Sequence, residues 1–147
     1  HLVYCDDKAK VLDKILNGSK TMIVRGAAGR KIPHSRVNEG ETLYFMQKGS
    51  KKISAKATVT HVDNYTKLTD PEITEKLNNP KLDLTDKQKE RLHKKCLILV
   101  EFSGLEKIDP ALDFEHQGNM DDWLIIEKIE DVVVGTSIPY NYEKSRF

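Results

Sequence analysis

The sequence predicts a small α+β domain built on one curled sheet or barrel, with a few short helices at its periphery. Three observations predict it. Apolar segments of strand length recur along the 147 residues. The clearest of them alternates apolar and polar positions from Ile53 to His61, the period of a half-buried strand. Two capping boxes, Thr69-Asp70-Pro71-Glu72 and Thr85-Asp86-Lys87-Gln88, open brief helical stretches rather than long ones. Regular alternation of strands with long helices, which a doubly wound sheet requires, is absent. A chain of this length is enough for one core and short for two, so a single domain over residues 1–147 is expected.

The elements follow in order. His1 to Cys5 is a short apolar strand, and Asp6 or Asp7 is suited to cap the helix that follows. In that helix Val11, Leu12, Ile15 and Leu16 share one face, and Gly18 stops it. Thr21 to Arg25 is a strand rich in β-branched residues. Residues 26–40 form a long loop carrying Gly26, Gly29, Pro33 and Gly40; loops of this length in small domains are functional or disordered. Thr42 to Met46 is the next strand, with Gly49-Ser50 placed for a hairpin turn. In the alternating strand that follows, His61 falls on the apolar face, as a hydrogen-bonded core histidine. The helix opened by Thr85 runs to about Lys95. Leu97 to Phe102 is continuously apolar, the pattern of a strand covered on both faces. Residues 109–122 read as an irregular acidic excursion, Trp123 to Ile126 as a renewed apolar run, Glu127 to Asp131 as a short helix or turn, and the segment from Pro139 as a surface tail.

Composition narrows the function classes. Hydrophobic residues make up 38% and charged residues 32% of the chain, an ordinary water-facing balance. No run approaches the roughly eighteen apolar residues that cross a bilayer. Residues 1–20 lack the apolar core of a secretory signal, so a cytoplasmic location is expected. Cys5 and Cys96 sit in apolar runs and are expected as reduced, buried thiols. His93 and Cys96 have a ligand-like spacing, but the other histidines are scattered, and Asp121-Asp122 is a pair on an irregular loop; no metal and no cofactor are expected.

The net charge of +1 hides an asymmetry. Residues 1–61 hold 12 Lys and Arg against 5 Asp and Glu, whereas residues 62–147 hold 12 against 18. The basic half contains Gly18-Ser19-Lys20-Thr21, the strand ending in Arg25, and the loop bearing Arg30, Lys31 and Arg36. A helix stop, a strand and a cationic loop in that order can place positive charge around one concave surface, which is what a phosphate or nucleotide requires. Arg grips a phosphate through a fork and Lys as a point charge. A buried Lys20 could also serve as a base. Gly26-Ala27-Ala28-Gly29-Arg30-Lys31 lacks the spacing and the terminal Gly-Lys-Ser/Thr of a P-loop, which argues against a nucleotide triphosphatase. Among aromatics, Tyr44 and Phe45 face opposite ways on one strand, leaving one available to stack on a base, while Trp123 belongs in the core. No Ser-His-Asp set, HExxH motif or paired-carboxylate signature is present.

The helix, Gly18, Lys20, Thr21, Arg25 and then Val37-Asn38-Glu39-Gly40-Glu41 leading into the strand Thr42 to Met46 together resemble the ASCH domain of the PUA-like superfamily, over roughly residues 8–102. The resemblance implies a PUA-like β-barrel with a cleft beside the first helix, an RNA-related role, and Lys20 in the cleft. It therefore implies a binding module for nucleic acid, above all RNA, or for a modified nucleotide. The expected ligand-binding residues are Lys20, Arg25, Arg30, Lys31, Arg36 and Tyr44. A hydrolytic group in the family deacylates a cytidine nucleoside with a lysine, a threonine three residues later and a glutamate on a later helix. Here the position three after Lys20 is Ile23, and Glu72 or Glu75 would stand for the glutamate. An amidohydrolase with Lys20 as its base, and a protein-interaction module that has lost its ligand, are the alternatives.

Overall fold

In the computed structural model, residues 1–115 and 123–139 are described. Six strands form one sheet: β1 (Leu2–Cys5), β2 (Met22–Ala27), β3 (Thr42–Gln47), β4 (Lys52–Tyr65), β5 (Cys96–Asp113) and β6 (Trp123–Leu124). Their order is β2-β5-β4-β3-β1-β6, with β1 parallel to β3 and every other pair antiparallel. Helices α1 (Val11–Leu16), α2 (Asp70–Leu77) and α3 (Asp86–Arg91) are short and peripheral. The sheet curls into a half-barrel, the predicted α+β class. Among the described residues no helix is long and apolar enough to cross a membrane.

The curl comes from the long β4–β5 ladder, which runs from Lys52 opposite Asp113 to Tyr65 opposite Leu97 and is interrupted by three register shifts. Each such irregularity bends a strand and increases its twist. One lies at Ser54: Phe45 pairs with Ala55 and Met46 with Ile53, leaving Ser54 as an extra residue. The extra residue reverses the side-chain parity, so Ile53 joins one apolar cluster while Ala55, Ala57 and Val59 join another. A second shift, between Val59 and His61, turns His61 outward. Strict alternation placed His61 in the core; it is instead exposed, 3.1 Å from an Asp63 carboxylate oxygen and 3.7 Å from one of Glu39.

Three apolar clusters result. The largest fills the concave side, where α1 lays Val11, Leu12 and Ile15 on Ile23, Phe45, Val100 and Trp123. A second, around Leu2, Met46, Ile53 and Leu124, lies on the other face of β1 and β3. The third lies outside β2 and β5, where Ile73 and Leu77 of α2 and Leu82 of a 3₁₀ turn (Pro80–Leu82) cover Val24, Leu97 and Leu99. Leu97 to Phe102 is thus covered on both sides, as its unbroken hydrophobicity predicts.

Both capping boxes are formed. In the first, Glu72 accepts from the Thr69 backbone N–H, which holds its carboxyl below the usual carboxylate range. Helix α3 ends at Arg91, short of the expected Lys95. The start of α1 also differs from expectation. Its cap position is Lys10, with left-handed backbone (φ 53°), and Asp6 instead binds the Lys8 N–H in the preceding turn. Residues 109–113, expected to be irregular, complete β5. The segment 116–122, with Asp121-Asp122, and residues 140–147 lie outside the described residues. Cys5 and Cys96 are free and buried, and burial pushes the Cys5 thiol up to about 12.

Candidate nucleic-acid interface

The two edge strands of the half-barrel, β2 and β6, do not pair with each other. Arg25 crosses the gap. It leaves β2, donates to the Val24 carbonyl at 3.0 Å and to the Tyr4 carbonyl on β1 at 2.9 Å. Its guanidinium also lies 5.6 Å from the ring centroid of Trp123 on β6, a cation–π contact. Trp123 is held in turn: its indole N–H donates to His1 Nδ1 at 3.1 Å, and His1 Nε2 lies 3.0 Å from Glu41. With Nδ1 accepting, the proton of a neutral His1 sits on Nε2 and points at the carboxylate.

A cleft runs along this seam in two lobes. The larger, about 400 Å³, lies between the end of β1, α1, β2 and α3. Lys8, Lys20, Arg25, Lys48 and Arg91 all line it; among the described residues they face one carboxylate, Asp6, which pairs with Arg91 at 3.4 Å. Its apolar lining is supplied by Val11, Val24, Leu84 and Leu92. The smaller lobe, about 280 Å³, extends over Gly26, Gly29, Lys31 and His34. Arg25, Lys48 and Leu92 belong to both. Gly26 is required by the packing behind this wall, since a Cβ there would stand 2.8 Å from Leu97 Cδ2.

Lys20 is the most deeply placed cation, 3% exposed. Its backbone N–H closes the end of α1 on the Lys14 carbonyl at 3.1 Å, and its ammonium donates to the Leu82 carbonyl. Burial, and then the charges of Arg25 and Lys14, push its pKa down to about 8. Asp83 partly offsets them, and at neutral pH Lys20 remains mainly an ammonium.

Of the expected ligand-binding residues, the fold brings Lys20, Arg25 and Lys31 to the cleft. Arg30 and Arg36 are outside its lining; Arg30 is exposed, and Arg36 donates to the Ser35 carbonyl at 3.3 Å. Tyr44 is also elsewhere. It is half-buried against the Leu2 and Met46 cluster, on the sheet face opposite Phe45, so no base in the cleft would reach it. The aromatic of the cleft is Tyr4. The residues suggested for hydrolysis do not assemble either: Ile23 is 2% exposed in the main core, Glu72 is engaged in its capping box, and Glu75 is exposed beside Lys76.

Four contributors were not foreseeable from pattern. Lys8 and Arg91 resemble ordinary solvated helix-flank charges, and Lys48 resembles a turn lysine. His34 sits in a loop with no periodic pattern. It is buried, donates from Nε2 to the Tyr65 carbonyl at 3.1 Å and is 2.8 Å from Ser35 Oγ at Nδ1. A weak signal existed for Lys48 alone, in the Gly49-Ser50 turn beside it.

No family model matches the sequence, and no curated protein matches it. Solved structures do match its fold. The ASCH protein of Zymomonas mobilis superposes with a TM-score of 0.57 at 8% identity, over 76% of this chain and 71% of that one. A tyrosine-to-phenylalanine variant of the same protein gives 0.58 at 12% identity, over 76% and 73%. A serine-to-alanine variant gives 0.56 at 10%, over 76% and 72%. Likeness at such identity is a likeness of architecture: this chain has the α+β fold of the Zymomonas mobilis ASCH protein.

Proposed function

We propose that this chain is an RNA-binding module whose ligand enters the seam cleft, with its phosphates facing the cations and one base in the larger lobe. The observation that carries the reading is the convergence of Lys8, Lys20, Arg25, Lys48 and Arg91 on one concavity, where the Asp6 carboxylate is already paired. These residues come from four separate parts of the chain. Solvated surface lysines would be scattered over the surface; here folding gathers them around an apolar floor fit for a planar base. The larger lobe falls within the roughly 300–1,000 Å³ range of small-ligand sites, which suits a single nucleotide unit and also leaves room for a modified base. The ASCH-type fold agrees with an RNA-related role.

The hydrolase alternative draws support from one feature, the lowered pKa of Lys20, which suits a general base. It lacks a nucleophile beside Lys20. Among the described residues no Ser or Thr lines either lobe, burial keeps the Cys5 thiol protonated, and the Cys96 thiol belongs to the smaller lobe, which Lys20 does not line.

Fluorescence anisotropy of labelled single-stranded RNA, duplex RNA and DNA tests the proposal, for the protein and for Lys20→Ala, from roughly 50 to 200 mM salt. Single-stranded RNA should bind with a steep salt dependence, and Lys20→Ala should weaken it by about tenfold or more, the worth of one charge-assisted contact. Absence of binding to any nucleic acid at the lowest salt would overturn the reading.

A further inference from the structure

The division of the cleft into two lobes, resting on the RNA reading above, says which part of the polymer is held and where. Arg25, Lys48 and Leu92 are the residues common to both lobes. Two of the three are cations, so the boundary between lobes is where a negative charge is best placed. Arg25 is fixed there by the carbonyls of Val24 and Tyr4 and by Trp123. Lys48 is different. It is exposed, and among the described residues its ammonium has neither an ion pair nor a side-chain hydrogen bond.

The backbone of Lys48 is nonetheless held in place. Its N–H donates to the Cys5 carbonyl at 3.1 Å, which docks the β3–β4 turn onto the end of β1. The next residue, Gly49, closes over Asp7; a Cβ there would lie 2.0 Å from Asp7 Oδ2. An exposed cationic side chain is thus mounted on an anchored backbone at the junction of two cavities. On the far side, the smaller lobe offers Lys31 and the open backbone of Gly29, with His34 held in its wall by Tyr65 and Ser35. That lobe has its own polar wall and space for a second nucleoside.

We propose that the Arg25–Lys48 junction is a phosphodiester subsite, and that the recognised unit is a dinucleotide, one nucleoside in each lobe with the linking phosphate on Lys48. Lys48 is then the anchor of that phosphate and Arg25 its rigid counterpart. A nucleoside monophosphate fills one lobe and leaves the other empty, so it captures part of the interaction.

Isothermal titration decides this, using the dinucleoside monophosphates of the four common bases, the matching free nucleosides and a short single-stranded RNA. The proteins are the unaltered chain, Lys48→Ala and Lys48→Arg. The expected result is that at least one dinucleoside monophosphate binds about tenfold or more tightly than either nucleoside alone, as a charge-assisted contact provides. Lys48→Ala should bring its affinity to the nucleoside level and lower the log–log salt slope by about one unit, and Lys48→Arg should restore both. If the RNA binds and Lys20→Ala weakens it, but Lys48→Ala leaves affinity and slope unchanged, the subsite is refuted and the RNA reading stands. The subsite is equally refuted if dinucleoside monophosphates bind no better than nucleosides while the RNA does. If the unaltered chain binds no RNA, the functional reading itself fails, and the subsite with it.

Discussion

The cations of the seam and those of the 26–40 loop make an instructive pair. In the sequence they form one basic tract, from Lys20 to Arg36. In the fold they part company: Lys20, Arg25 and Lys31 line the cleft, whereas Arg30 and Arg36 lie outside it. The seam recruits instead Lys8, Lys48 and Arg91, none of which belongs to the tract. Burial separates the two groups as well. Lys20 sits among low-dielectric side chains, which bring its pKa from 10.5 down to about 8. Charge counted along a chain measures solubility and long-range attraction; charge gathered by a fold makes a site.

That contrast can be attacked from its strongest side. Arg25→Ala removes a guanidinium that bonds two carbonyls and faces an indole. Its loss should destabilise the domain by about 2–3 kcal/mol, as for hydrogen bonds to a charged group, and should also abolish measurable RNA binding. Urea unfolding and anisotropy read the two effects separately. A stability loss below about 0.5 kcal/mol, the range of ordinary surface substitutions, would show that Arg25 does not tie the seam.

The buried ammonium gives the next effect, and its sign can be worked out. The folded-state pKa of Lys20 is lowered, so the unfolded chain holds the Lys20 proton more tightly than the folded one. Protonated Lys20 therefore opposes folding below pH 8, by roughly 3 kcal/mol at about 1.4 kcal/mol per pKa unit. That penalty is relieved as pH rises from about 8 towards 10.5. Cys5 acts oppositely as pH approaches and passes 9, because the unfolded thiol ionises near 9 while the folded one waits until about 12. Between pH 8 and 9 Lys20 alone raises stability by about 1 kcal/mol and Cys5 takes back a few tenths, so the unaltered protein should gain about 0.6 kcal/mol. In Lys20→Met the rise should vanish. A rise that persists in the variant would mean another group is responsible.

The smallest effect belongs to the loop. The double variant Arg30→Ala, Arg36→Ala should change stability by less than about 0.5 kcal/mol and lower RNA affinity only as far as long-range attraction requires, with the loss fading at high salt. A loss equal to that of Lys20→Ala would erase the distinction between loop and seam.

Much of the architecture was legible because it depends on local pattern. The capping boxes, the doubly covered run Leu97 to Phe102, the hairpin turn at Gly49 and the positions of β1, β2 and β3 all follow from spacing within a few residues. The placement of Lys20 and Arg25 on the cleft was legible because one precedes β2 and the other lies on it. What failed were matters of register and assembly. His61 was misplaced because a single extra residue reverses which face a strand presents, and nothing in the composition of residues 53–61 announces it. Tyr44 was assigned to the cleft on its chemistry, but facing is decided by pairing with β1 and β4. Lys48 and Arg91 enter the site through contacts with residues more than 40 positions away, Lys48 through Cys5 and Arg91 through Asp6. Only the closed fold brings such pairs together.

Strand β5 takes part in all three cores. Ile98, Val100 and Phe102 serve the concave core, Leu97 and Leu99 the outer one, and Ile108 and Leu112 pack against the third. No residue of its central run Leu97 to Phe102 lines the cleft, yet β2, which carries Arg25, is hydrogen-bonded along its whole length to this strand. The cleft is therefore cantilevered. One wall hangs from a beam clamped in three places, and the other is carried on the short parallel pair β1 and β3. Of the two walls, the β2 side is the one braced through a strand shared by all three cores.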